Sequence, residues 1–325
     1  MLAFAGIVLG LVLLIGGGAL LVRGASELAT TLGISPMIVG LTIVGFGTSA
    51  PELVVNIIGA LEGETGLAFG NVVGSNISNL GLVLGAAALM TPIALQGDAV
   101  RRELPLFLLA TTMMAVMALD GPLEGEPARI GRSDSILLML MFCIFLYFVA
   151  LDLKGMREGD KLFADIGGHT QVLAPGASRW QWLLIIGGCG LLFLGGEITI
   201  RNGIALSERL GVAPAIVGLF VVAVGTSMPE LVTSVIAAIK DESDLALGNV
   251  IGSNIFNSLI VLPVSGLIAP IRVPAGGVGD LVVSWLLAAA ILPVFLLGSA
   301  RLGRPAGALF IVAYACYAIA RISGG

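Results

Sequence analysis

The sequence predicts an all-α polytopic membrane protein, with ten transmembrane helices in two inverted five-helix repeats and broken helices at a central polar site. Three observations predict this class. Of the 325 residues, 57% are hydrophobic and only 11% are charged, so the lipid bilayer is the expected solvent. The second half of the chain copies the first, and a polar, proline-containing motif interrupts one apolar span in each copy.

The apolar spans set the number of helices. A hydrocarbon core of about 30 Å requires roughly 20 apolar residues per helix. On this basis the chain divides into candidate spans at 2–22, 35–60, 67–90, 103–119, 135–153, 180–200, 212–238, 245–269, 279–299 and 303–321. The first span lacks the basic region and cleavage site of a signal peptide. It also has a counterpart in the second half, so we retain it as a helix.

An internal repeat relates the two halves. Adding 178 to a residue number gives its counterpart, so that LAFGNVVGSNISN at 67–79 becomes LALGNVIGSNIFN at 245–257. More than half of the positions between 32 and 79 are identical to their counterparts. Each copy holds five spans, and an odd number makes the second copy enter the membrane from the opposite side. Inverted repeats of this kind place a shared site near the bilayer midplane and are typical of secondary transporters.

The chain divides into a first inverted repeat (1–153), a polar linker (154–179) and a second inverted repeat (180–325). Cytoplasmic loops of membrane proteins carry an excess of Lys and Arg. With the N-terminus outside, the cytoplasmic side holds ten of these residues and the opposite side holds six. We therefore expect a multi-pass protein of the cell membrane, with both termini outside and the linker in the cytoplasm.

The motif GTSAPE at 47–52 breaks the second span. Pro51 has no N–H and clashes with the preceding turn, so the helix should kink or unwind there and free backbone carbonyls. Carbonyl, hydroxyl and carboxylate oxygens are ligands for hard cations, and residues four apart lie on one helix face. The candidate ligands from this copy are Gly45, Thr48, Ser49 and Glu52.

The motif GTSMPE at 225–230 repeats this arrangement around Pro229. Its candidate ligands are Ala223, Thr226, Ser227 and Glu230. An ionised carboxylate at mid-bilayer is costly, and two close together repel, so both are stable only with a cation or protons between them. No Lys or Arg lies in the core spans at a depth suited to neutralise the glutamates. The pattern predicts a cation site where the two copies meet.

The spans that follow carry a second motif, GNVVGSN in the first copy and GNVIGSN in the second. Serine and asparagine four residues apart face one way on a helix, which adds Ser75, Asn79, Ser253 and Asn257 to the candidate ligands. The other asparagines have two open interpretations, as ion ligands or as hydrogen bonds between helices; they are Asn71, Asn76, Asn249 and Asn254. The glycines of the motif form small faces for close helix packing.

These paired motifs resemble the two alpha repeats of the cation/calcium antiporter superfamily, which contains the Na⁺/Ca²⁺ exchangers, and the resemblance spans the whole ten-helix plan. It implies a Ca²⁺ site formed by Glu52, Glu230, Thr48 and Thr226. It implies flanking Na⁺ sites at Gly45, Ser49, Ser75, Ala223, Ser227 and Ser253, with Asn79 and Asn257 contributing at the centre. It also implies gating by motion of the first and sixth helices.

The central quartet implied by the resemblance is Glu52, Asn79, Glu230 and Asn257. Its charge of at most −2 balances one Ca²⁺. Some relatives carry Asp at the position of Asn257, so K⁺ dependence stays open. Relatives that exchange Ca²⁺ for H⁺ usually carry a glutamate within the second motif. This chain has a Ser-Asn pair there, which favours Na⁺ coupling.

We therefore expect a secondary active antiporter that exchanges Na⁺ for Ca²⁺ by alternating access, with these ions as substrates and no cofactor. The alternatives are a Ca²⁺/H⁺ or a K⁺-dependent Na⁺/Ca²⁺ antiporter; a cation channel is disfavoured because inverted repeats suit alternating access. We do not expect an enzyme, since the spans hold no Ser-His pair and no pair of catalytic aspartates. The lipid bilayer is the expected partner, with no nucleic acid and no obligate protein partner.

Overall fold

The structure is a computed structural model that describes residues 2–63, 65–94, 98–123, 128–167, 179–209, 226–296 and 301–324. Its first half consists of α1 (Leu2–Leu32), α2 (Pro36–Val39), α3 (Gly45–Thr48), α4 (Ala50–Leu61), α5 (Thr65–Ser78), α6 (Gly85–Met90), α7 (Asp98–Leu123) and α8 (Arg132–Gly167). Two π-helical turns join α2 to α3 and α5 to α6; they are Gly40–Val44 and Asn79–Leu84.

The second half consists of α9 (Arg179–Arg209), α10 (Met228–Ile239), α11 (Ser243–Phe256), α12 (Leu262–Ile268), α13 (Gly277–Ala289), α14 (Ile291–Leu296) and α15 (Arg304–Gly324). A π-helical turn, Asn257–Val261, joins α11 to α12. Four strands of two residues each complete the described elements: β1 (Ile93–Ala94), β2 (Arg129–Ile130), β3 (Ile271–Arg272) and β4 (Arg301–Leu302).

Helix length and composition agree with a membrane protein. In the part of the chain that the structure describes, 5 helices are long and apolar enough to cross a membrane, or up to 6 if the bent pair Pro36–Thr48 and Ala50–Leu61 counts as one span. Shorter apolar helices occupy Glu103–Leu119, Met228–Ile239 and Gly277–Pro293. The all-α membrane class is confirmed, and the number of ten spans stays a prediction.

Several helices run past their predicted ends. Helix α9 was expected to end at residue 200 but continues to Arg209, and the first and fifth predicted helices are extended in the same way. The first was expected to end at residue 22, but α1 continues to Leu32 and is stabilised there by an Arg23–Glu27 ion pair of 2.8 Å. The fifth was expected to end at residue 153, but α8 continues to Gly167 into the predicted linker. Both extensions are rich in residues with good helix propensity. A helix that leaves the bilayer needs no break until the sequence supplies one, as Gly33 does with a φ of 65°.

Helices α1 and α9 pack antiparallel along their whole length through glycines. A methyl group added to Gly17 would lie 2.8 Å from the carbonyl oxygen of Gly188, and one added to Gly195 would lie 2.8 Å from that of Gly10. The repeat relates these two contacts to each other, because Gly17 is the counterpart of Gly195 and Gly10 is the counterpart of Gly188. The antiparallel contact is the one that inverted copies of a helix require.

The second-motif spans form the centre of the molecule. In the most apolar stretch of Ser243–Ile268, 94% of the residues are buried, and in that of Ala68–Met90 78% are buried. The corresponding share for α1, α8 and α9 is 33%, so those helices lie at the periphery with apolar side chains exposed. Polar side chains on α5 and α11 are therefore in the interior rather than at a lipid-facing surface.

Close backbone contact brings the first-motif helix of one half onto the second-motif helix of the other. A methyl group on Gly40 would lie 3.0 Å from the Cα of Gly248, and one on Gly252 would overlap the Leu41 carbonyl. Only glycine permits this approach. The predicted small face of the second copy is thus used for packing. The chain segment that would pack on the first copy's small face, 210–225, lies outside the described residues.

Two short antiparallel ribbons also join the halves, and neither was predicted from the sequence. In one, β1 pairs with β4 so that Ile93 faces Leu302; in the other, β2 pairs with β3 so that Ile130 faces Ile271. All four of these side chains are buried. Each ribbon therefore ties a loop of one half to a loop of the other.

Candidate ion-binding site

The GTSxPE motif of the first copy breaks its helix at the serine, and in the second copy a helix begins directly after the equivalent serine. Ser49 (φ −89°, ψ 6°) separates α3 from α4, and the helix axis bends by 44° there. Ser227 has nearly the same backbone conformation (φ −86°, ψ 8°) directly before α10. Each proline lies in the first turn of the helix that follows, where its missing N–H leaves no hydrogen bond unmade. The predicted break is present as a kink.

The kink frees fewer carbonyls than the sequence suggested. The Gly45 carbonyl still accepts the Ser49 N–H at 3.1 Å, and the hydroxyls of Thr48 and Ser253 each lie 3.4 Å from it. Helical hydrogen bonding persists because Pro51 lies beyond the break and removes a donor only from the turn that contains it. Among the predicted ligands, Ala223 lies outside the described residues.

Glu52 and Glu230 lie in the first turns of α4 and α10, and both are completely buried. Ser49 Oγ donates a hydrogen bond of 3.0 Å to Glu230 Oε1. Within the described ranges, neither Glu52 oxygen has a hydrogen-bond partner, nor does Glu230 Oε2. The ion pairs that the structure gives for the described residues lie elsewhere and do not include either glutamate; they join Arg23 to Glu27, Arg201 to Glu197 and Arg321 to Asp280. Buried carboxylates without a cationic partner require a bound cation or a proton.

Thr48 lies between the two halves. Its Oγ1 is 3.1 Å from the Val44 carbonyl oxygen of its own helix and 3.1 Å from Oδ1 of Asn249 on α11. The Ser253 hydroxyl is 3.3 Å away. A hydroxyl has one proton and two lone pairs, so a bond donated to one of these acceptors leaves Thr48 lone pairs for a cation. Its counterpart Thr226 is also buried.

Further buried oxygens in and beside the motifs have no hydrogen-bond partner among the residues that the structure describes. Asn76 Oδ1, Ser78 Oγ and Thr233 Oγ1 are three of them, and four more are Ser75 Oγ, Ser227 Oγ, Asn79 Oδ1 and Asn257 Oδ1. Buried polar atoms are nearly always paired in native proteins, so such a group calls for an explanation. The last four belong to residues that the sequence predicts as ligands. Oxygen ligands supplied by hydroxyls, amides and carboxylates are those preferred by Ca²⁺ and Na⁺.

The two central asparagines occupy equivalent and unusual backbone positions. Asn79 is the first residue of the π-helical turn after α5, and Asn257 is the first residue of the π-helical turn after α11. Such turns are rare and occur frequently at functional sites. Their wider backbone was not predicted from the sequence, because the apolar pattern of these spans does not differ from that of an α-helix.

The structure adds two polar residues that the sequence analysis did not single out. Asn56 accepts a hydrogen bond of 2.7 Å from Asn71, and Ser234 accepts one of 2.9 Å from Asn249. Both are completely buried. Each lies four residues after its glutamate, and that spacing on a helix face was the available signal. These bonds tie the second motif to the first within each half, which supports the helix-bridging interpretation of Asn71 and Asn249.

A cavity of about 480 Å³ leads toward the motifs from one side. Its walls are Pro51, Val54, Val55 and Ile58 on α4, with Leu192, Phe193, Gly196, Glu197 and Arg201 on α9, and it also contacts Thr226 and Pro229. It lies at the end of α9 that carries Asn202, against which Gly6 of α1 packs. The cavity therefore opens on the side where the N-terminal end of α1 lies.

The equivalent contact in the other half is closed. A methyl group on Gly18 would lie 3.0 Å from both Val232 and Ile236 of α10, and these three residues are the counterparts of Gly196, Val54 and Ile58. The same surfaces are thus separated on one side of the molecule and packed together on the other. The apolar cavity therefore reaches Pro51, Thr226 and Pro229 of the motifs from one side, whereas Glu52 and Glu230 are themselves completely buried.

The site differs from an acid-rich metal centre. Over the ranges that the structure describes, no group of three or more His, Cys, Asp or Glu side chains is placed to hold a metal ion. Two carboxylates surrounded by neutral oxygens limit the fixed charge to −2.

Comparison with known proteins gives a consistent result. A family model described as sodium/calcium exchanger protein matches residues 2–151 and 180–323. The putative antiporter CaxA of Alkalimonas amylolytica is 39% identical over 301 residues, covering 92% of this chain and 90% of that protein. The sodium/calcium exchanger MaX1 of Methanosarcina acetivorans is 32% identical over 292 residues, covering 82% of this chain and 83% of that protein.

Solved structures agree with these relatives. The sodium-calcium exchanger NCX_Mj, soaked with 100 mM Na⁺ and 10 mM Sr²⁺, superposes with a TM-score of 0.82 at 26% identity. The match covers 99% of this chain and 98% of that chain. The fold of this chain, its paired motifs and the extent of the family match lead to one conclusion. This chain is a membrane protein of the sodium/calcium exchanger family and has the cation/calcium antiporter function of that family.

Proposed function

We propose that this protein exchanges Na⁺ for Ca²⁺ across the membrane by alternating access, with Glu52 and Glu230 binding the transported ions. The observation that carries the proposal is the pair of fully buried carboxylates, three of whose four oxygens have no hydrogen-bond partner among the described residues. A cation held between them would supply the missing partners. The names of the relatives MaX1 and NCX_Mj support sodium and calcium as the two cargoes.

Charge balance supports an exchange rather than simple binding. Two carboxylates compensate one Ca²⁺ or two Na⁺, so either loading leaves the buried site near neutrality. An empty, doubly charged site would carry a large desolvation penalty, which disfavours movement of the unloaded protein between its two states. Exchange of one cargo for the other is the cycle that avoids this penalty.

Neutral oxygens would then set the ion positions. We assign Thr48 and Thr226 to Ca²⁺ together with the glutamates, and Gly45, Ser49, Ser75, Ala223, Ser227 and Ser253 to flanking Na⁺ sites, with Asn79 and Asn257 at the centre. Thr48 and Ser253 lie on opposite halves and within 3.3 Å of each other. Sites that share such neighbours cannot be filled independently, which is the basis of competition between the two ions.

We further propose that residues 1–153 and 180–325 act as two inverted repeats joined by the cytoplasmic linker 154–179. The open cavity beside α9 and the closed contact beside α1 support this division, since exchanging their geometries would open the site to the opposite membrane face. In this orientation both termini lie outside, and the cavity faces outward. Motion of α1 and α9 would accomplish the exchange.

The direct test is ⁴⁵Ca²⁺ uptake into proteoliposomes across whose membrane a gradient of Na⁺, K⁺ or H⁺ is imposed, one ion at a time. We expect an outward Na⁺ gradient to drive Ca²⁺ uptake. Glu52→Gln and Glu230→Gln should each reduce uptake to the level of protein-free vesicles, because each removes half of the charge that compensates the divalent ion. Glu62→Gln is the matched control, since it makes the same chemical change at an exposed glutamate just after α4.

The outcomes separate the candidates. Uptake driven by a pH gradient without Na⁺ would replace this proposal with Ca²⁺/H⁺ exchange, and a requirement for K⁺ would identify a K⁺-dependent exchanger. Unitary conductance in a planar bilayer would identify a channel. If both glutamine variants remain monodisperse and transport at the parental rate, the assigned site is wrong.

A further inference from the structure

The two halves treat their central asparagines differently. Asn79 Nδ2 donates a hydrogen bond of 3.1 Å to Asn254 Oδ1 across the interface. The counterparts of Asn79 and Asn254 are Asn257 and Asn76. The repeat therefore leads us to expect an equivalent hydrogen bond from Asn257 to Asn76. That second pair is not formed: neither polar atom of the Asn257 side chain, nor Asn76 Oδ1, has a hydrogen-bond partner within the described ranges.

A serine lies beside the pair that is not formed. Asn76 Nδ2 donates a hydrogen bond of 2.9 Å to Ser258 Oγ, and this bond restrains the orientation of a carboxamide whose Oδ1 has no hydrogen-bond partner among the described residues. The counterpart of Ser258 in the first half is Leu80, which offers no acceptor to Asn254. Both Ser258 and Leu80 are completely buried, so water does not compete for hydrogen bonds at either position. The polar difference between Ser258 and Leu80 therefore lies beside the asparagine pair that is not formed.

We propose that Ser258 is a positioning residue: by holding Asn76, it keeps the Asn257 side chain unpaired and free to turn in the ion site. This inference rests on the proposed function, because it concerns how an ion ligand behaves during exchange. Asn79, tied to Asn254, is a fixed ligand, whereas Asn257 is an adjustable one. A carboxamide fixed on neither side can present Oδ1 to one cargo and withdraw it for the other.

The consequence concerns turnover more than affinity. Removing the Ser258 hydroxyl would release Asn76 to accept from Asn257, as Asn254 accepts from Asn79. Asn257 would then be held in one orientation, as Asn79 is. Such pre-orientation does not weaken the binding of an ion that Oδ1 coordinates. It would slow the step in which the ligand must move. We therefore expect a change in maximal rate without a rise in half-saturating Ca²⁺.

The test is Na⁺-driven ⁴⁵Ca²⁺ exchange in proteoliposomes over a range of Ca²⁺ concentrations. Ser258→Ala should lower the maximal rate, by about fivefold if a neutral hydrogen bond of ordinary strength is gained, with half-saturating Ca²⁺ equal to or below the parental value. The separate variant Ser258→Thr keeps the hydroxyl and should retain the parental rate. Ser265→Ala is the matched control, since this buried hydroxyl bonds only to Val261 of its own segment at 3.0 Å.

A double variant provides the decisive measurement. If Ser258 acts by restraining Asn76, then Asn76→Ala should return Ser258→Ala to the parental rate, because Asn257 has lost its new partner; interacting residues reveal themselves by such non-additivity. A parental rate in Ser258→Ala, a rise in half-saturating Ca²⁺, or additive losses in the double variant would each overturn the inference.

The same assay keeps this inference apart from the proposed function. If Glu52→Gln loses exchange while Ser258→Ala matches the parent, the function stands and only the role of Ser258 falls. If Glu52→Gln exchanges at the parental rate, the proposed site itself falls.

Discussion

The hydroxyl of Ser49, in the first half of the chain, donates a hydrogen bond of 3.0 Å to the carboxylate of Glu230, in the second. The equivalent bond from Ser227 to Glu52 is not made, since Ser227 Oγ and both Glu52 oxygens have no hydrogen-bond partner among the described residues. The two motifs have the same backbone break but different side-chain bonding. The two glutamates are therefore not equivalent in this state.

This difference predicts unequal proton sensitivity. A hydrogen bond donated to a carboxylate favours its charged form, so Ser49→Ala should let protons compete better at Glu230 and extend inhibition of Ca²⁺ transport to higher pH. Ser227→Ala removes no such bond and should shift the profile less. Both are measured as Na⁺-driven Ca²⁺ flux from pH 6 to 9. Equal shifts in the two variants would contradict the assigned asymmetry.

Loss of a hydroxyl ligand should be milder than loss of charge. Thr48→Val and Thr226→Val keep the shape of the side chain and the net charge of the site. A hydrogen bond or ligand contact of this kind is worth about 1 kcal/mol, so we expect the half-saturating Ca²⁺ concentration to rise by roughly tenfold or less. Each variant should still transport. Complete loss of transport in a monodisperse Thr48→Val protein would indicate a structural role for that hydroxyl.

Adding charge at the centre should make transport more dependent on pH. Asn257→Asp places a third carboxylate beside Glu52 and Glu230, and three negative charges exceed what one Ca²⁺ compensates. Because like charges disfavour one another's ionisation, we expect proton inhibition to extend to higher pH than in the parent. The same flux measurement from pH 6 to 9 tests this. An unchanged profile would place residue 257 outside the ion site.

The one-sided cavity predicts one-sided access. In a background without Cys143, Cys189 and Cys316, a membrane-impermeant thiol reagent applied on the side of the N-terminus should modify Ile58→Cys. Its counterpart Ile236→Cys should react more slowly from either side, because it packs against Gly18 in the closed contact. Modification is measured by mass shift of the purified protein. Faster reaction at position 236 would show that the opposite side is open.

The α1–α9 interface should distinguish adjacent glycines. Gly17→Ala places a methyl group 2.8 Å from the Gly188 carbonyl oxygen, whereas Gly16→Ala meets no atom within 4 Å among the described residues. Both exchange glycine for alanine inside the same helix, so propensity effects cancel. We expect a lower unfolding temperature in detergent for Gly17→Ala and a value at or above the parental one for Gly16→Ala. Similar temperatures would mean that the helices can separate without loss of stability.

The sequence by itself determined the class of the protein, the internal repeat and the position of each helix break. Composition requires helices in a bilayer, and Pro51 and Pro229 act on their own turns, which is why Ser49 and Ser227 share one backbone conformation. The buried glutamates could also be found in this way, because an acid in an apolar span is a functional signal without reference to any neighbour.

Only the tertiary structure decided which oxygens are paired, where the loops form ribbons, and on which side a cavity reaches the motifs. Identical motifs specify similar local backbones, but the side-chain partners of Ser49 and Asn76 come from the other half of the chain, and Thr48 has neighbours in both halves. There the copies differ, as Ser258 and Leu80 do. The cavity beside Gly196 and the closed contact at Gly18 follow from how the two halves are arranged, since two such copies can close against each other on one side while remaining apart on the other.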